Sequence, residues 1–137
     1  MKKQITIFLI SFSVLLFSCK KNTPENANES LPSGTVLVSG NFVKGNHPTS
    51  GTVRVIRNAN NVNLLVFENF KSDNGPDLYI WLSPSTSGSP YQEIGLLKAV
   101  TGNFSYELSP AINFTTNNRV LIWCKRFSVL FGHATLQ

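Results

Sequence analysis

The chain has 137 residues, 42% of them hydrophobic, and a formal charge of +5. That length makes one domain with a core of its own once a targeting segment is set aside. Lys2 and Lys3 fall in that segment, leaving 10 Lys+Arg against 7 Asp+Glu, and so balanced a surface on an exported chain argues against nucleic acid as a partner. There is no G-x-S-x-G, no H-E-x-x-H and no Gly-rich phosphate loop, and the acids are scattered, which removes the common hydrolytic machineries.

The first element is a leader. Lys2 and Lys3 form a charged start, and residues 5–17 form an apolar stretch too short for a confident membrane span. Leu16, Phe17, Ser18 and Cys19 then match a bacterial lipobox, with Phe17 larger than the usual occupant. Residues 1–18 are therefore expected to be a lipoprotein signal peptide, with Cys19 the lipidated N-terminus of the mature protein. Two or three acyl chains bury enough methylene, at about 0.8 kcal/mol per CH₂, to make such an anchor durable. The expected location is the bacterial cell envelope, tethered to a membrane, where Lys20 and Lys21 lie beside anionic headgroups. Residues 19–33 are polar, rich in Asn and Glu and broken by two prolines, and predict a flexible linker between anchor and domain.

From residue 34 to 137 the pattern is β. Strands are predicted over 35–43, 52–57, 62–67, 77–83, 94–100, 103–108 and 119–125, with 128–131 as a further strand. Asn58, Ala59, Asn60 and Asn61 supply a hairpin turn, because Asn tolerates left-handed backbone angles. No window carries a helical period over ten residues or more. Seven or eight short strands separated by Gly, Pro and Asn predict an all-β, antiparallel β-sandwich, with a closed barrel as the alternative.

Cysteine arithmetic singles out Cys124. Only Cys19 and Cys124 are present, so lipidation of the first leaves the second without a disulfide partner in an oxidising compartment. On a strand, Val120, Ile122 and Cys124 share one face, and Leu121, Trp123 and Lys125 the other. Cys124 is then either a small core hydrophobe or a functional thiol. Arg126, about 7 Å along an extended strand, would favour the thiolate.

The two histidines, His47 and His133, lie in a Gly-Pro-rich loop and near the chain end. The order His47, Cys124, His133 is that of a His₂Cys copper site, although no axial Met is present and the interval from Cys124 to His133 is long. Covalent haem is disfavoured without C-x-x-C-H, while non-covalent haem on His47, His133 or Cys124 stays open. Asp77 follows Gly75 and Pro76, where its simplest role is to fix a turn. Trp81 and Trp123 are expected to pack in the sheet, or to lie along a route to a redox centre.

Three segments carry a family resemblance: GNFVKGNHPTSGTVRV (40–55), NGPDLYIWLS (74–83) and RVLIWCKRFSVLFGHATL (119–136). In this order they resemble the electron-transfer DM13 domain, found in bacterial lipoproteins and Skeletor-type animal matrix proteins. The resemblance implies a small β-sandwich that carries electrons to a redox partner of unknown identity, more an electron carrier or binding module than a turnover enzyme. Its suspected redox cysteine falls on Cys124, and Asp77 would orient a partner near it. The alternative is a non-catalytic envelope module in which Cys124 is only packing.

Overall fold

The computed structural model describes residues 23–137; the leader, Cys19, Lys20 and Lys21 lie outside the described residues. Nine strands are present: β1 (Asn26–Asn28), β2 (Thr35–Lys44), β3 (Thr49–Arg57), β4 (Asn63–Ser72), β5 (Leu78–Ser83), β6 (Gln92–Leu96), β7 (Thr101–Glu107), β8 (Arg119–Cys124) and β9 (Val129–Thr135). No helix occurs among the described residues, as the absent 3.6-residue period predicts.

The strands form one sheet in the order β1-β7-β4-β3-β2-β9-β8-β5-β6. Every pairing is antiparallel except β1 with β7, so the sheet is mixed. The expected antiparallel sandwich of seven or eight strands is not borne out: one mixed sheet of nine strands curls into a half-barrel whose two wings share the core. The physical reason lies in β2, which is long enough to serve both wings. Its first part pairs with β3 up to Asn41, and Phe42, Val43 and Lys44 then pair with β9. Gly40 sits at that switch, where any Cβ would collide with the Thr135 carbonyl oxygen. Backbone approaches backbone there, and only glycine leaves the room.

The core fills the curl. β3, β4 and β7 contribute Val53, Val55, Leu65, Phe67, Phe70 and Phe104, while β5, β8 and β9 contribute Leu78, Ile80, Leu82, Val120, Ile122, Phe131 and Ala134. Phe67 stands at its centre, stacked on Phe104 at 4.8 Å and Phe42 at 5.5 Å and edge-on to Phe70. The 62–67 pattern, apolar on both faces, matches β4, whose Leu65, Val66 and Phe67 are all buried.

The stretch expected to be a flexible linker is built into the fold in part. Thr23 is only 8% exposed, and β1 runs parallel to β7 through Asn26↔Thr101, Ala27↔Gly102 and Asn28↔Asn103. Glu29 then meets the Lys98 ammonium at 2.8 Å and accepts the Ser105 N–H. Composition marks this segment as too polar to form a core. It does not reveal that the segment can borrow an existing sheet edge for its backbone hydrogen bonds. Residues 97–100, expected in a strand, instead cross from β6 to β7. Tyr106 pins that crossing: its hydroxyl donates to the Leu96 carbonyl and accepts the Lys98 N–H, and burial raises its pKa.

Candidate functional site

Cys124 ends β8, paired with Leu78 on one side and Val129 on the other. Strand alternation turns it into the core with Val120 and Ile122, as expected, and it is 1% exposed. The thiol donates to the Pro76 carbonyl at 3.1 Å. That bond belongs to a seam between β8 and the loop 73–77, since the Lys125 N–H also donates to the Asp77 carbonyl.

The loop is shaped by its own side chains. Asn74 accepts the Gly75 N–H at 2.8 Å, and Asp77 adopts a left-handed φ of 53°, which Asp tolerates better than most residues. Gly75 lies on the Phe131 ring, where a Cβ would come within 2.7 Å of Cζ. His47 stacks on the same ring at 3.9 Å and bonds Asp73 at 3.1 Å. The Asp77 carboxylate meets Arg126 Nε at 3.4 Å rather than bonding turn amides. The structure thus gathers His47, Asp77, Cys124 and Arg126 around one loop, together with Asp73, which sequence reasoning missed. The Asp73–His47 pair had no signal, since the residues are 26 apart in turn-rich sequence.

The grouping differs from the expected chemistry in one respect. Arg126 faces Asp77, and the sulfur has a neutral carbonyl as its partner, a role that calls for the thiol rather than the thiolate. His133 stands apart. Its register partner across β8 is Leu121, so it lies on the face of the sheet opposite Cys124. Among the described residues no three His, Cys, Asp or Glu side chains cluster closely enough to hold a metal ion. The donors His47, Cys124 and His133 therefore do not fit a His₂Cys copper centre, and the sealed Cys124 offers no open side to a haem iron.

His133 has its own electrostatics. Its Nδ1 is buried without a hydrogen-bond partner among the described residues, and burial, then the nearby Arg119 charge, lower its pKa from the ordinary 6.5. The unfolded chain consequently binds the proton more readily. Stability from this group is complete above pH 6.5 and is lost as pH falls from there toward the depressed value. Urea melts from pH 7.5 to 5 should show that decline, and His133→Gln should flatten it; an unchanged slope in the variant would remove His133 as its source.

The outer face of β5 and β8 carries an aromatic stack that register alone exposes. Tyr91 lies on Trp81 at 3.7 Å and 11°, and Trp81 on Trp123 at 5.0 Å and 19°. Trp81 donates its indole N–H to Glu93, which also pairs with Lys125, and Lys125 covers the Tyr79 ring. Gly88, at φ 78°, presses on Trp123 so closely that a Cβ would stand 2.6 Å from the indole. The stack runs from Tyr91, 44% exposed, to the residue next to Cys124. The two tryptophans were legible as strand residues; Tyr91, in a loop, was not.

The geometry defines an all-β domain with one internal thiol among the described residues, a loop folded over it and an aromatic stack on the opposite face of the sheet. The family model for Electron transfer DM13 matches residues 41–136, more than two thirds of the chain, and the protein belongs to that family. No curated protein and no solved structure matches it. The family description supports an electron-transfer role.

Proposed function

We propose that this is a lipoprotein of the bacterial envelope, anchored through Cys19, whose DM13 domain exchanges electrons through Cys124. The observation that carries the reading is the electron-transfer family match across the segment that holds the one cysteine of the domain. Burial sets the manner of exchange. A thiol 1% exposed is closed to direct disulfide exchange or sulfenate formation while the fold stays shut. The folded domain instead passes single electrons through its covalent neighbour Trp123 and the stack that ends at Tyr91. In each turnover the thiol gives one electron to an outer-sphere one-electron acceptor and its proton to solvent water, reached when the loop 73–77 lifts off the sulfur, and a thiyl radical is left; reduction returns both.

One observation favours a second reading. The same burial and the bond to Pro76 suit a cysteine that merely fills the core of a binding or structural module.

The full-length protein in detergent separates the two. Titration with a one-electron oxidant such as an iridium(IV) salt should consume oxidant in wild type. Cys124→Ser should lose that consumption, and Trp123→Phe should retain it at a lower rate. Equal consumption by wild type and Cys124→Ser would leave the packing reading standing. Thiol reagents should label Cys124 only on addition of denaturant.

A further inference from the structure

The chain enters the fold at the thiol end. The Thr23 carbonyl accepts Asn74 Nδ2 at 3.2 Å, and the Pro24 carbonyl accepts the Val100 N–H at 3.0 Å. Backbone is therefore fixed to the domain four residues beyond Cys19, and four extended residues span at most about 14 Å. An anchor at Cys19 cannot stand much farther than that from the loop 73–77. Under the anchored reading, the end of the domain nearest the membrane is the thiol end.

That end has the composition of a surface made for anionic lipid. Through Asp77 the loop meets Arg126, whose neighbour Phe127 is 65% exposed at the tip of the turn between β8 and β9. An exposed phenylalanine beside a cation suits the interface between headgroups and acyl chains. Lys44, the last residue of β2, and Lys71, next to last in β4, line a shallow groove with Val43, Pro48 and Asp73. Neither lysine is in an ion pair with any described residue, whereas Asp73 is engaged by His47 and Asp77 by Arg126, which leaves Glu25 as the exposed acid at this end without an ion pair among the described residues. Lys20 and Lys21 add two further cations within the tether. At the opposite end the β3–β4 turn holds Asn58, Ala59, Asn60 and Asn61, with Arg57, bonded to Asn63, as its one flanking cation and no large apolar side chain in the turn.

We infer that Phe127, Arg126, Lys44 and Lys71 form a docking surface for an anionic bilayer. The surface holds the tethered domain in one orientation, with the loop 73–77 facing lipid. The inference rests on the anchored reading above and adds orientation to it.

The test uses the lipidated full-length chain in vesicles of phosphatidylcholine, with and without phosphatidylglycerol, and reads amide hydrogen exchange segment by segment. On the anionic vesicles the amides of 44–47 and 125–128 should slow relative to detergent, while those of 58–62 should not. The variant carrying Phe127→Ser and Lys44→Glu should lose that slowing while keeping the exchange of β4 and β8 unchanged, which shows that it is folded. A wild-type chain that stays on the vesicles with 125–128 as fast as in detergent would overturn the inference alone. A chain that leaves the vesicles would overturn the anchored reading and this one with it.

Discussion

Phe67→Ala is expected to destabilise the domain by about 3–5 kcal/mol, the range for removing a buried phenylalanine. Phe67 is fully buried, and its ring touches Phe42 from the strand that joins the wings, Phe70 from its own strand, and Phe104 and Tyr106 from β7. Removing it opens a void among side chains that are themselves rings, and planar groups wedged against neighbours collapse poorly into such space. Stacked and edge-on pairs contribute about 0.5–1.5 kcal/mol beyond area burial, and several are lost together. Against a typical stability of about 5–15 kcal/mol the variant folds but melts roughly 10–20 °C lower. Phe67→Leu should lose less. Thermal and urea melts check this, and a shift in stability below about 1 kcal/mol would mean that the phenylalanine cluster does not carry the core.

Gly40→Ala is the second, and it acts by intrusion. The new Cβ meets the Thr135 carbonyl oxygen and carbon, which are main chain and cannot rotate aside. The reciprocal bonds between Ser39 and Gln137, at 3.1 and 3.0 Å, hold the two strands together beside that point. A single methyl therefore pushes β9 off β2 where one wing passes into the other, at a cost of about 1–3 kcal/mol by the usual scale of overpacking. Amide exchange at Ser39 and Gln137 should quicken, while the β3–β4 hairpin keeps its protection. Uniform loss across the sheet would show instead that the seam has no separate stability.

What the sequence disclosed follows from which interactions are local. Alternation in 119–125 and 52–57 is a property of neighbouring residues, so strands and inward faces could be read, Cys124 included. Where strands pair is not local. The doubling of β2 depends on Gly40 meeting Thr135, ninety-five positions away, and so the expected sandwich gave way to one curled sheet. Asp77 and Arg126 were legible as charges near Cys124, but that they bond each other depends on how the loop 73–77 returns over β8. His133 looked equivalent to His47 by chain order, yet register sends it to the opposite side. The family resemblance did what periodicity could not, since it carries tertiary information in residue identities.

The parallel strand β1 has a practical consequence for anyone shortening the chain. Without its three residues the outer rail of β7 would present free N–H and C=O groups, an adhesive margin on which a second molecule could template itself. A fragment begun at Gly34, where composition invites the cut, would also strip Lys98 of its carboxylate partner. Such a fragment should self-associate, and a soluble monomer calls for a chain that starts no later than Thr23.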